Sequence, residues 1–151
     1  MNKSTTSLNF PDVNVWLALS LENHIHRPVA QAWWRAIDST IAFTRFTQVS
    51  VLRLLTTRAA MDGKPLSMDD AWRAHDKLFE DVRVAFKPEP AGVELRFREY
   101  AAGRTASPKL WADAWLLAFA EAAGGTVITF DRALAARGAH CLLPENAGGT
   151  A

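Results

Sequence analysis

Three aspartates occupy places where a carboxylate needs an explanation: Asp12 in "FPDVNVWLAL", Asp113 in "WADAWLLAFA" and Asp131 in "TFDRAL". Asp12 and Asp131 each close a strand-like run at the point where a helix should begin. Asp113 lies inside a helical run, where Leu110, Leu116, Leu117 and Ala120 share its face at spacings of three, four or seven residues. It therefore interrupts an apolar stripe, and a carboxylate left partly desolvated costs on the order of several kcal/mol unless a cation or a donor compensates it. Three such groups together are worse, because like charges within about 4–6 Å drive one another toward protonation. A hard divalent ion, Mg²⁺ or Mn²⁺, resolves both problems, since it takes oxygen ligands and keeps positions open for water and phosphate. Phosphodiester hydrolysis is the chemistry that follows: a bound ion lowers the pKa of its water and polarises the phosphoryl oxygen. Plainer readings stand beside this one. A strand-end aspartate is often the N-cap of the next helix, and Asp113 could pair with a core arginine such as Arg45 or Arg53. Asn14 could orient a carboxylate or a metal-bound water, or be a solvated helix residue; Thr129 could donate to the site, or fill a strand position.

The elements that must position these residues alternate along the chain. "SLNF" reads as a strand and "DVNVWLALSLE" as a well-buried helix, apolar all round. "RPVAQAWWRAID" continues in helical character, "IAFTRF" alternates like a strand, and "TQVSVLRLLTTRAA" is a helix with Thr47 as its expected cap. "MDDAWRAHDKLFED" carries a Ser67-x-x-Asp70 capping box. "VRVAF" is a third strand, and "EPAGVELRFREYAAG" a helix expected to end at Gly103. In "SPKLWADAWLLAFAEAAGG", Ser107 as cap, Pro108 at the first helical position and the Gly124-Gly125 pair mark the limits of a helix. "TVITF" and "HCLLP" are the fourth and fifth strands, joined by the short helix "RALAARG". Strands alternating with helices call for an α/β fold with a parallel sheet covered on both faces. Ligands of such sheets bind outside the carboxyl ends of the strands, where the strand order reverses. Asp12 and Asp131 share that edge, and they meet if their strands are neighbours.

Composition narrows the class. With 151 residues, 49% hydrophobic and 22% charged, the chain reads as one domain over 1–146 with a fraying tail at 147–151. The single cysteine, Cys141, excludes an internal disulfide framework and suits a reducing compartment, so a cytoplasmic location is expected. No apolar run approaches the roughly 20 residues of a membrane span. A net charge of +1 rules out broad basicity, so any nucleic-acid contact must come from local clustering.

Taken in order and at their spacings, "FPDVNVWLAL", "TQVSVLRLL", "WADAWLLAFA" and "TFDRAL" resemble the PIN-domain ribonucleases, in particular the VapC-type toxins of bacterial toxin-antitoxin modules. The resemblance runs from about Leu8 to Pro144. It implies a three-layer α/β/α sandwich around a parallel sheet, here of five strands, an endoribonuclease dependent on Mg²⁺ or Mn²⁺, and neutralisation by a small VapB-type antitoxin. By position it makes Asp12 and Asp113 the metal-binding aspartates and Asp131 the third acidic member. The family usually carries a glutamate early in its second conserved helix; this chain has Gln48, Ser50 and Arg53 there, with Ser50 aligned to the glutamate. That departure bears on whether one metal ion or two is held.

An RNA substrate, with tRNA among the candidates, needs positive charge beside the acids, and Arg45, Arg53, Lys109 and Arg132 are the candidates near strand ends or helix starts. Trp16, Trp33, Trp34 and Trp72 could form an exposed groove for an antitoxin helix or a dimer interface, giving a homodimer or a toxin-antitoxin hetero-oligomer. Trp111 and Trp115 are expected in the core. His24, His26, His75 and His140 lack zinc-site spacing and are expected at the surface. Two rivals remain: a non-catalytic interaction module of the same fold, and an aspartyl phosphotransferase using Asp12, whose usual second acid two residues on is here Asn14.

Overall fold

The computed structural model describes residues 7–145. The expected tail at 147–151 lies outside them. Five strands, β1 (Leu8–Pro11), β2 (Thr40–Phe43), β3 (Val84–Phe86), β4 (Gly125–Thr129) and β5 (His140–Cys141), form one sheet in the order β3-β2-β1-β4-β5. Every pairing is parallel. The helices are α1 (Val13–Ser20), α2 (Arg27–Ala36), α3 (Arg45–Leu55), α4 (Met68–Leu78), α5 (Val93–Tyr100), α6 (Leu110–Ala123) and α7 (Arg132–Ala135).

Strand alternation sorts the side chains of the sheet into two cores. Phe10, Ala42 and Val127 pack with Leu116, Leu117, Phe119 and Ala120 of α6 and Val93 of α5. Ile41, Phe43 and Val84 pack on the other face with residues of α1, α3 and α4, including Trp16, Val51 and Leu78. The result is the three-layer α/β/α arrangement. Trp16 is wholly buried and stacks on Phe43 with ring centroids 3.9 Å apart. It is a core residue, not part of an exposed groove, because it sits on the face of α1 that packs against β2; Trp33 and Trp34 also pack against this core. Trp111, by contrast, is 59% exposed, since it precedes the point where α6 settles on the sheet. His75 is 6% exposed: its spacing from Ala71 and Leu78 puts it on the apolar face of α4, not at the surface.

Several boundaries differ from the sequence reading for local reasons. Thr44, not Thr47, caps α3: its hydroxyl accepts the Thr47 N–H at 3.0 Å, so the strand stops at Phe43. Helix α5 ends at Tyr100 with Ala101 as C-cap, short of Gly103. Ser107 and Pro108 form a turn in which the Ser107 carbonyl accepts from Leu110 N–H, and α6 begins only after Lys109, which supplies no side-chain cap. The third strand starts at Val84 because Arg83 is diverted to Asp81 and to the carbonyls of Trp34 and Ile37. The fifth keeps only two residues of "HCLLP". The Ser67 cap of α4 forms as expected, at 3.0 Å from Asp70 N–H, while the Asp70 carboxylate turns to Arg73.

Gly124 and Gly125 join α6 to β4. Gly124 takes φ +78°, a left-handed C-cap that costs glycine nothing. Gly125 lies against β1, where an added Cβ would stand 2.7 Å from the Leu8 carbonyl oxygen. This junction sits at the amino edge of the sheet, so the other end of α6, with Asp113 in its first turn, is carried to the carboxyl edge.

Candidate active site

The chain builds β1, β2 and β3 to one side, then returns to place β4 on the other side of β1. The carboxyl ends of β1 and β4 are thus the topological switch point of the sheet, where parallel α/β folds open a crevice. Asp12 follows β1 and donates its N–H to the Ile128 carbonyl at 2.9 Å, continuing the ladder by one residue. Its partner one step on is Thr129, wholly buried, whose hydroxyl donates to Asp12 Oδ2 at 2.5 Å and accepts the Asp131 N–H at 3.0 Å. One hydroxyl therefore ties the first and third aspartates together.

Both strand-end aspartates are also helix caps. Asp12 Oδ1 accepts the Val15 N–H at 3.1 Å, at the start of α1. Asp131 Oδ1 accepts from Ala133 N–H at 2.8 Å and Leu134 N–H at 3.4 Å, at the start of α7. Capping fixes each carboxylate in direction without neutralising it.

Burial holds the Asp12 carboxyl above the ordinary value of 3.8; the charge of Asp113 adds to this, while Thr129 and the N–H groups of Val15 and Asn14 work against it. Asp113 is likewise raised, first by burial and then by the charge of Asp131, with Arg137 opposing. The three acids are thus gathered within electrostatic reach of one another. Among the described residues, the ion pairs use Asp70, Asp76, Asp81, Glu94 and Glu121, and none uses Asp12, Asp113 or Asp131. Neither Arg45 nor Arg53 forms an ion pair with Asp113.

A divalent cation fits this chemistry in its donor set. Asp12 and Asp113 offer hard oxygens with negative charge in excess, and Mg²⁺ commonly binds through one or two carboxylates while keeping waters and phosphate oxygens. The fit is a pair with a flanking acid: no group of three His, Cys, Asp or Glu among the described residues is drawn close enough to hold a metal ion together.

The supporting residues divide. Thr129 enters the site. Asn14 contributes its backbone N–H, and its side chain is exposed. Ser50 lies half-buried in α3, about 9 Å of helix axis beyond Thr44, and bonds to none of the acids. Arg53, in the last turn of α3, is carried to the far end of that helix and away from the carboxyl edge. Lys109 stands exposed just before α6. Arg132 is exposed, with one N–H committed to the Pro144 carbonyl. Arg45 remains at the edge, over the Phe86 ring at 4.3 Å. The sequence reading missed Arg137, which follows α7, donates to the Tyr100 carbonyl and moderates Asp113. Only the folding of α7 against α5 and α6 brings it there.

Comparison with known proteins agrees with this fold. A family model described as "PIN domain" matches residues 10–139. The chain is 40% identical over 128 residues to a protein named Ribonuclease VapC41 from two strains of Mycobacterium tuberculosis, covering 81% of this chain and 88% of that one. Among solved structures, Mycobacterium tuberculosis VapC20, titled a Sarcin-Ricin loop cleaving toxin, superposes with a TM-score of 0.62 at 18% identity, over 86% of this chain and 95% of that one. FitAcB from Neisseria gonorrhoeae superposes with a TM-score of 0.55 at 20% identity, over 88% and 96%. With aspartates at the switch point of a five-stranded parallel sheet, and a family match from β1 to the start of β5, the chain belongs to the PIN domain family.

Proposed function

We propose that the protein is a metal-dependent endoribonuclease and the toxin of a toxin-antitoxin pair, hydrolysing RNA phosphodiester bonds with Mg²⁺ or Mn²⁺. The observation that carries this reading is the partly buried Asp12 carboxylate beside Asp113, with no cation paired to either among the described residues. The name of the relative at 40% identity supports RNA as the substrate, and the resemblance to VapC toxins supports a VapB-type antitoxin. Asp12 and Asp113 would hold the metal, with Asp131 beside them. When bound there, a divalent ion supplies a water of lowered pKa and polarises a phosphoryl oxygen.

The chain's own residues do the rest. Thr129 keeps Asp12 Oδ2 turned into the site and favours its ionised form. The N-termini of α1 and α6 direct their positive dipole ends to this edge, which favours an incoming phosphate. Asp131, exposed and held by one oxygen, leaves the other to orient water. Both Asp12 oxygens accept hydrogen bonds, which weighs against Asp12 as the nucleophile of a phosphotransferase.

The test is protein freed of any antitoxin and incubated with defined tRNAs and total RNA, in Mn²⁺ and in EDTA. Cleavage in Mn²⁺, absent in EDTA and in Asp113→Asn, is the expected result. RNA left intact by the wild type in Mn²⁺ would return the chain to the class of non-catalytic binding modules.

A further inference from the structure

The carboxyl edge continues past Asp12 toward β2 and β3, and there the structure fixes an exposed arginine unusually well. The register that pairs Asn9 with Ile41 carries on to Asp12 beside Thr44, and the one that pairs Phe43 with Phe86 carries on to Thr44 beside Lys87. Arg45 and Lys87 therefore stand on the same edge as the acids, two strand spacings or about 10 Å away at Lys87. They share a small open cavity of about 130 Å³ with Phe86 and Trp115 on its walls. Trp115 belongs to the same helix as Asp113, two residues on and therefore on a different face, so the cavity and the acidic pair flank α6 near its N-terminal end.

Arg45 is held from two sides. Its guanidinium lies over the face of Phe86 at 4.3 Å, and one N–H donates to Gln48 Oε1. The Gln48 amide is itself oriented by buried His75. His75 Nδ1 is 2.9 Å from Asp76 Oδ1, and Nε2 is 3.1 Å from Gln48 Nε2. A carboxylate only accepts, so Nδ1 carries the ring proton; Nε2 then accepts from the Gln48 NH₂, which leaves the amide oxygen facing Arg45. Phe43, Trp72 and Phe79 pack around the imidazole and fix its plane. Among the described residues neither Arg45 nor Lys87 is within ion-pair distance of a carboxylate, although exposed Glu89 borders the same cavity.

We propose that Arg45 and Lys87 form a phosphate subsite for the RNA strand on the β2–β3 side of the cleavage centre, and that Gln48 and His75 are positioning residues that hold Arg45 in it. The inference rests on the ribonuclease reading above. A guanidinium pinned by a ring and an amide oxygen keeps its other N–H groups for a phosphate and has little freedom left to lose on binding.

The experiment measures binding of a labelled single-stranded RNA oligonucleotide over a salt series, alongside cleavage kinetics in Mn²⁺. Arg45→Ala and Lys87→Ala should each weaken binding about 5- to 10-fold and lower the slope of log K against log salt by about 0.7, the value for one phosphate contact on a single strand. Gln48→Leu and His75→Phe should weaken binding by about threefold with the slope unchanged, because the charge remains while its positioning is lost. Arg45→Lys should restore the slope but not the full affinity. Losses should fall on KM more than on kcat. Wild-type affinity and slope in Arg45→Ala and Lys87→Ala, in protein that still cleaves RNA, would overturn the subsite and leave the ribonuclease reading standing. Lower melting temperature with unchanged KM and affinity in Gln48→Leu would reduce that residue and His75 to packing. Should His75→Phe not fold, Gln48→Leu decides the point. A wild type that neither binds nor cuts RNA removes both readings together.

Discussion

Replacing Asp12 by asparagine should stabilise the metal-free protein while abolishing its activity. The substitution keeps an oxygen for the Val15 N–H and turns an amide NH₂ to the Thr129 hydroxyl, which then accepts instead of donating, and it removes a charge disfavoured by desolvation and by Asp113. The pH dependence has a definite sign. Because the folded carboxyl is raised above the ordinary 3.8, the folded state holds the Asp12 proton more tightly than the unfolded chain does. Below about pH 3.8 both states are protonated and Asp12 carries no penalty; as pH rises through the folded pKa the penalty grows, then levels off. The advantage of Asp12→Asn over the wild type should therefore vanish in acid and be complete at neutral pH. For a chain of this size each 1 kcal/mol relieved raises Tm by about 2–4 °C. Adding Mn²⁺ should reverse the order. At a hundred times its Kd, the ion would stabilise the wild type by about 2.7 kcal/mol, or roughly 5–11 °C, and the variant far less. The assay is thermal unfolding of both proteins in EDTA and in Mn²⁺ across a pH series, with RNA cleavage in parallel. The reasoning fails if the variant melts below the wild type at neutral pH in EDTA, or if Mn²⁺ raises both equally.

Asp113→Asn should cut RNA cleavage by at least about 100-fold with an unchanged circular dichroism spectrum; cleavage within tenfold of wild type would remove Asp113 from the metal set. Thr129→Val leaves Asp12 Oδ2 and the Asp131 N–H without their partner, which should cost about 1–3 kcal/mol in chemical denaturation. Since the Thr129 bond lowers the Asp12 pKa, the same change should move the acid limb of the pH–rate profile upward, and Thr129→Ser should restore it; identical profiles for the valine and serine variants would contradict the bridge. Gly125→Ala places a Cβ against the Leu8 carbonyl oxygen and the Phe10 ring, and should destabilise by about 1–3 kcal/mol through overpacking while leaving the metal response intact.

The parts of this molecule legible in its sequence are those set by local pattern. Alternation in "TVITF" and the glycines after "FAEAA" placed β4 and the end of α6 because strand period and left-handed caps are nearest-neighbour effects. The start of α3 was not legible in the same way. Thr44 and Thr47 are three residues apart, either can cap, and in the fold their hydroxyls share a hydrogen bond of 2.9 Å; the end of β2 decides between them. His75 left a signal that was available, in its spacing from Ala71 and Leu78 on α4. Arg137 left none, since its proximity to Asp113 and to the Tyr100 carbonyl comes from tertiary packing across residues 24 and 37 positions away, which no local pattern encodes.

The two plain readings of the strand-end aspartates, cap or site acid, turn out not to compete. An N-cap side chain must lie at the carboxyl end of a strand and point back along the first helical turn, which is also the direction of the crevice at a switch point. Capping through one oxygen fixes the carboxylate's rotamer and leaves the other oxygen for function: Asp12 gives it to Thr129 and the site, and Asp131 keeps it exposed. Asp113 has no such second duty. It lies in the first turn of α6, makes no capping bond, and is raised by burial against its neighbours. Of the three acids, it is the one whose presence folding alone does not require. An apolar residue there would continue the stripe formed by Leu110, Leu116, Leu117 and Ala120, so the carboxylate comes at the expense of packing, a cost that the proposed metal site would account for.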